Sequence, residues 1–257
     1  MEKAVEERTK QLHEKNSELE SANKDLTSFT YVSSHDLQEP LRKIQNFVSC
    51  MLDEERANLS DDGKMYLQKT YETAKRMQSL IEDLLTYSRT KNTELQFEKM
   101  DLNIILDDVK RDFEDQIDER KVIIKVENLC EANIIPFQFR QLFQNLVSNS
   151  LKFAKPNVAP QISIKSDIMH GSKLKNEKLL ANVEYCHIIY TDNGIGFEPE
   201  YNERIFEVFQ RLHGKKDYAG TGMGLAICKR IVENLNGVIT ATGKLNKGAR
   251  FDIYFPI

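Results

Sequence analysis

From Val5 onward, apolar residues return at every seventh position, at Leu12, Leu19 and Leu26, in a segment otherwise built of charged and amide side chains. The companion positions three residues on, Arg8, Lys15, Ala22 and Phe29, are charged first and apolar later, so half of a coiled-coil seam strengthens along the segment. A lone helix this polar buries too little to hold itself, and a dimeric helix is expected. Three-to-four spacing continues through Leu37, Leu41, Ile44, Val48, Met51 and Leu52 as far as the polar stretch 53–63. It resumes with Met65, Thr70, Thr73, Met77, Leu80, Ile81, Leu84 and Leu85 and runs to Arg89. That pattern predicts two amphipathic helices in an antiparallel hairpin, with Pro40 bending the first. One hairpin leaves its inner face wet; a second copy closes it into a four-helix bundle.

Beyond the polar stretch 91–99 the period changes. Helices are expected over 102–113, 136–153 and 222–235, and strands over 121–127, 161–166, 185–192, 238–242 and 249–255. A Lys- and Asn-rich insertion separating the strands at 161–166 and 185–192 reads as a loop. Helices mixed with non-adjacent strands predict a sheet covered by helices on one face. Two domains are therefore expected, 29–92 and 93–257, with a signalling helix over 1–28.

Composition narrows the class. At 40% hydrophobic and 30% charged, the 257 residues suit a soluble globular protein, and a net charge of -4 offers no basic field for nucleic acid. No apolar run approaches the roughly 18–20 residues that span a bilayer, and residues 1–10 are charged rather than signal-like. The expectation is a cytoplasmic location, as a soluble protein or as the cytoplasmic portion of a longer sensor. Cys50, Cys130, Cys186 and Cys228 lie 80, 56 and 42 residues apart, without the close pairs of a zinc or redox motif, and are read as reduced packing residues.

Several segments carry candidate chemistry. His35 stands beside Asp36 in a helical stretch, and an imidazole whose free pKa is about 6.5 offers a nucleophilic lone pair near neutral pH. Asp192-Asn193-Gly194-Ile195-Gly196 follows an apolar strand, which places an acid at a strand end, able to accept a hydrogen bond from a group such as adenine N6. Gly220-Thr221-Gly222-Met223-Gly224-Leu225 opens a helix, so free amides and the positive end of its dipole await an anion such as triphosphate. Asn145, Asn149 and Lys152, at i, i+4 and i+7, share one helix face. The amide oxygens suit a magnesium ion or its waters, and the ammonium suits a phosphate. Residues 197–219, containing Ile205-Phe206-Glu207-Val208-Phe209, join the two glycine loops and fit a lid. His13, His170, His187 and His213 lack such context and are expected on the surface or in packing.

Taken in this order, the segments from Phe29 to Ile257 resemble the catalytic core of a sensor histidine kinase. In that family a dimerisation and histidine-phosphotransfer hairpin precedes a Bergerat-type α/β-sandwich that binds ATP. The resemblance implies that His35 accepts the phosphoryl group and that Asp36 orients or deprotonates its ring. It implies Asn149 as the principal magnesium ligand with Asn145 in support, and Lys152 on phosphate. Asp192 would read adenine, Gly194 and Gly196 would shape the pocket, and Gly220, Gly222 and Gly224 would line the triphosphate. It further implies a homodimer and transfer to an aspartate of a response-regulator receiver domain. In related Bergerat ATPases a glutamate that activates water takes the place of Asn145; an amide cannot act as that base, which favours transfer over hydrolysis.

One departure stands out. The histidine box reads His-Asp-Leu-Gln-Glu-Pro, with Gln38 in place of an arginine and Glu39 where many members carry Thr or Asn. An anion facing a phosphoryl group predicts weak phosphatase activity. Two other classes remain open on the residues: a non-catalytic dimeric adaptor with a vestigial nucleotide site, and an ATPase that hydrolyses ATP to drive a conformational cycle.

Overall fold

The computed structural model of the protein describes residues 2–89, 96–174, 177, 179–212 and 220–257, and gives the helical backbone alone for residues 2–6, 16, 17, 19–33, 35 and 89. Two units divide between Asn92 and Thr93.

The first unit is a helical hairpin of α1 (Glu2–Glu54) and α2 (Asp61–Arg89), and α1 continues without a break through Pro40. Ser60 starts α2 by accepting the Gly63 amide on its hydroxyl at 3.1 Å, which satisfies one of the donors a helix start leaves open. The hairpin is antiparallel, as the periodicity predicted: Leu41 packs with Ala74, Ile81 and Leu85, while the Gln45 amide donates to Gln78 Oε1 at 2.9 Å. Leu37, Ile44, Met51, Met65 and Met77 belong to the apolar pattern yet stay exposed, as does Phe47 outside it. Along the expected coiled-coil seam Leu12 is exposed, and the side chains of Val5, Leu19, Ala22, Leu26 and Phe29 lie outside those described.

The second unit runs β1 (Glu98–Asp101), α3 (Leu102–Asp112), α4 (Glu114–Arg120), β2 (Ile123–Glu127), β3 (Glu131–Ile134), α5 (Pro136–Lys152), β4 (Gln161–His170), β5 (Glu184–Asp192), α6 (Gly224–Asn234), β6 (Val238–Lys244) and β7 (Gly248–Pro256). Five strands form one sheet in the order β2-β4-β5-β7-β6, parallel only between β2 and β4, and β1 pairs with β3 apart from it. Register stacks Ile164, Tyr190 and Phe251 across three strands, with Ile188, Ile253 and Ile239 in the next row, so alternate residues build one apolar face. Helices cover that face: the Phe139 ring of α5 meets Phe255 edge-on at 5.2 Å, and Leu142, Leu146, Ile227 and Ile231 are fully buried.

Three features depart from the expectations. Helix α4 and strands β1 and β3 went unrecognised, being short and largely polar. Strand β4 extends four residues beyond the expected end, to His170, because β5 pairs with it along its whole length. Cys130 and Cys186, read as separate reduced residues, are joined as a disulfide, leaving Cys50 and Cys228 free. Strand pairing is the reason: the Cys130 amide is tied to Ser166 of β4, and Ile168 of β4 is in register with Cys186. Among the histidines, His13 and His170 are exposed, while His187 is buried on the sheet face opposite Ile188 and Tyr190, against Asp252 and stacked on Tyr254 at 4.3 Å. His213 lies outside the described residues.

Candidate functional site

Helix α5 is the spine of the site. Pro136 opens it at the first turn, where a missing N–H costs nothing, and its buried face of Phe139, Phe143, Leu146 and Ser150 fixes which residues point away from the sheet. Asn145, Asn149 and Lys152 share the flank adjoining that buried face, each half-buried.

Both glycine segments converge on α5. At Gly220 φ is +142°, a conformation that favours glycine, and the loop passes the end of the Lys152 side chain, where a Cβ would lie 2.5 Å from Nζ. Two turns back along α5, the Asn145 carboxamide oxygen faces Gly224, the first residue of α6. Among the described residues the N-cap position, Met223, gives that helix start no side-chain cap, and Thr221 accepts the Met223 amide within the loop at 3.2 Å. Leu225 follows Gly224 in the first turn, and the helix begins two residues later than predicted. Gly222 packs against the backbone of Phe209 and Gln210, which ties the loop to the segment before it. Within that segment Ile205 and Phe206 are buried and Phe209 is exposed; residues 213–219 of the expected lid lie outside the described residues.

The acid is held from several sides. Asp192 Oδ1 accepts the amides of Gly194 at 2.8 Å and Ala249 at 3.2 Å, while Oδ2 receives, among the described residues, the Ser150 hydroxyl at 3.3 Å. A carboxylate has about four lone-pair positions, so Oδ2 retains capacity for a donor from a ligand. Burial pushes the Asp192 carboxyl above its ordinary range, and the Gly194 and Ala249 amides and the Ser150 hydroxyl oppose that rise without cancelling it. Ser150 also bonds the buried Tyr190 hydroxyl at 2.8 Å. The glycine turn is pinned to the end of α5, where Ile195 N donates to Phe153 O at 2.9 Å, and to the β6–β7 turn, where Asn246 N donates to Ile195 O at 2.6 Å. Burial, and secondarily the charge of Arg211, lowers the Lys152 pKa, while its ammonium sits 4.5 Å from the Phe153 ring centroid.

Lys152 and Asn145 of α5 thus meet the second glycine segment, the turn after Asp192 is tied to the end of the same helix, and Asn149 lies on the same helix flank. His35 and Asp36 belong to the other unit: both lie on α1, Asp36 is exposed, and the His35 side chain lies outside those described. Sequence reasoning missed Ser150, Tyr190, Gly248 and Ala249. Ser150 carried a signal, being a hydroxyl in register with the apolar positions of its helix; Gly248 and Ala249 carried none, because only strand pairing sets them behind Asp192.

Residues 25–93 match the His Kinase A (phospho-acceptor) domain, and residues 135–257 match the Histidine kinase-, DNA gyrase B-, and HSP90-like ATPase family. The chain is a sensor histidine kinase catalytic core. Cyanobacterial phytochrome A of Nostoc sp. is 36% identical over 240 residues, covering 93% of this chain and 30% of the relative. Aerobic respiration control sensor protein ArcB of Escherichia coli is 26% identical over 247 residues, covering 91% of this chain and 29% of the relative. The chain therefore spans about 30% of the length of these curated relatives. The fold matches full-length ShkA, solved in complex with AMPPNP, with a TM-score of 0.62 at 22% identity, over 88% of this chain and 45% of that one. It also matches the Acinetobacter baumannii histidine kinase AdeS, with a TM-score of 0.56 at 19% identity, over 84% of this chain and 96% of that one. Among the described residues no helix of this kinase core is long and apolar enough to cross a membrane.

Proposed function

We propose that this kinase core binds ATP at the end of α5, phosphorylates itself on His35 and passes the phosphoryl group to an aspartate of a response-regulator receiver domain. One observation carries the reading: Asn145, Lys152 and Asp192 stand around two glycine segments, with an amide at Asn145 beside a helix start that, among the described residues, has no side-chain cap. Asp192 Oδ2 takes the exocyclic amino group of adenine, and the first amides of α6 face phosphate. Lys152 neutralises a phosphate oxygen; its lowered pKa reflects a half-buried cation that an anion would relieve.

Asn149, supported by Asn145, offers the neutral amide oxygens that a hard cation accepts, and magnesium bound there would offset phosphate charge. In the transfer, a ring nitrogen of His35, Nε2, forms the bond to phosphorus while the bond to the departing ADP oxygen breaks and its electrons leave with ADP. Asp36 orients the imidazole and takes up its surplus proton. Loose phosphoryl transfer asks mainly for alignment and charge neutralisation, so domain geometry sets the rate. Glu39 pairs with Lys43 at 2.7 Å, one turn away, so the departure from the usual box presents an ion pair and not a bare anion.

Exposed Ile44, Phe47, Met51 and Met77 favour a second copy of the hairpin as partner, giving a dimeric bundle in the cytoplasm. Incubation with γ-labelled ATP and magnesium tests the whole reading. Acid-labile, alkali-stable label on the protein, lost in His35→Gln, is expected. Free phosphate without protein label would make the chain an ATPase, and neither product would make it an adaptor.

A further inference from the structure

The disulfide ties together the approaches to the two elements that carry the nucleotide site. Cys130 stands six residues before Pro136, where α5 begins, and strand β3 fills most of that interval. Cys186 stands six residues before Asp192, and both belong to β5. The bond spans a sequence separation of 56 and reaches over β4, which lies between β2 and β5 in the sheet. It lies toward the end of β5 away from Asp192, so it takes no part in the chemistry of that site.

Cys130 is held by more than its sulfur. Its amide donates to Ser166 Oγ of β4 at 2.8 Å, and that hydroxyl donates to Asn128 O at 2.8 Å. Its carbonyl accepts the amide of Leu102, the first residue of α3, at 3.3 Å. The two sulfurs differ in access. Cys186 is fully buried, in register between Ile168 of β4 and Phe255 of β7, whereas Cys130 is half-buried. A thiolate arriving from solvent therefore meets Cys130. In a reducing compartment, such as the cytoplasm proposed above, bonds of this kind are usually transient and serve catalysis or redox sensing.

We propose that Cys130 and Cys186 form a redox-sensitive clamp on the nucleotide site, opened by a dithiol. One thiolate of the dithiol attacks Cys130 Sγ to form a mixed disulfide; the Cys130–Cys186 bond breaks, and Cys186 leaves with the electron pair and takes up a proton. The second thiol of the reductant then attacks its own mixed-disulfide sulfur and releases Cys130 as a thiol. Two electrons and two protons pass from the dithiol, which ends as a disulfide. The hydrogen bonds of Cys130 to Ser166 and Leu102 keep the turn in place, so reduction loosens the supports of α5 and β5 and leaves the fold standing. The inference rests on the nucleotide site proposed above and adds a control on it.

The test uses the full chain with Cys50→Ser, which removes the exposed thiol, oxidised with diamide or reduced with dithiothreitol. Thiol labelling with mass spectrometry of the denatured protein reports the bond, and a fluorescent ATP analogue reports affinity. Cys130 and Cys186 should escape labelling in the oxidised form and both be labelled after reduction. Reduction should lower the melting temperature by about 4 °C or more and weaken nucleotide binding about fivefold or more, and reoxidation should restore both. Cys130→Ser and Cys130→Ala should bind as the reduced parent does and ignore dithiothreitol. The parent comparison needs neither variant, so a variant that misfolds leaves the test standing. No bond between Cys130 and Cys186 in the oxidised parent, equal affinity before and after reduction, or a response to dithiothreitol that survives in Cys130→Ser overturns the inference while leaving the nucleotide site standing. Absence of binding in both forms, insensitive to Asp192→Asn, overturns both.

Discussion

Replacing Asp192 with asparagine separates the cost of the carboxylate from its use. In the parent, Oδ1 already satisfies two backbone amides, and the asparagine oxygen takes over both bonds without moving. Ser150 meets the other atom and, as a hydroxyl, can reverse from donor to acceptor. Burial raises the Asp192 pKa, so the folded protein holds that proton more tightly than the unfolded chain. The charge is therefore a stability cost above the folded pKa, and the cost fades as pH falls through it. An uncharged isostere removes it, and the melting temperature of Asp192→Asn should stay within about 2 °C of the parent or rise. Ligand binding behaves oppositely. The variant presents a donor to the adenine amino group where the parent presents an acceptor. A hydrogen bond to a charged group is worth about 1.5–3 kcal/mol, which predicts a roughly 10- to 160-fold loss of ATP affinity by isothermal titration. The pH dependence follows: parent affinity should fall as pH drops through a carboxyl pKa above the usual range, and the variant should show no such step. Unchanged affinity in the variant would refute the role assigned to Asp192, and a collapse of affinity and melting temperature together would make it scaffolding.

Other expectations are simpler. Ser150→Ala leaves the buried Tyr190 hydroxyl without the partner it now bonds at 2.8 Å and should cost about 1–3 kcal/mol in denaturant unfolding, with a smaller change in nucleotide affinity than Asp192→Asn. Asp252→Asn tests the sheet face that carries His187. Burial alone would raise this carboxyl, but the bonds from His187 at 2.8 Å and Arg250 at 2.6 and 2.7 Å hold it below the ordinary range. Its stabilisation is present above the unfolded pKa and is lost as pH falls through the lower folded value. The parent should therefore exceed the variant by about 1–3 kcal/mol at pH 7, and the two should converge in strong acid.

Legibility followed the range of the forces involved. The hairpin could be read from its three-to-four period because a helix aligns its own apolar face over neighbouring turns, and α3, α5 and α6 were placed to within about two residues for the same reason. The histidine box, the three polar residues of α5 and both glycine segments were legible as local patterns whose geometry a helix or turn supplies. Helix α4 and the β1–β3 pair were not, since their short, polar sequences take form only from what they dock against. The strand order, the Cys130–Cys186 bond and the burial of His187 against Asp252 likewise came from pairings between segments 56 and 65 residues apart.

What this sequence determined by itself was the inventory: which candidate groups are present, and on which local element each one rides. Only the tertiary structure decided their company, giving Asp192 the Ala249 amide of β7, Lys152 its glycine and Asn145 its place against Gly224. The physical reason is that backbone geometry repeats over a few residues and is written locally, whereas burial and hydrogen-bond partnership depend on which distant segments share a layer.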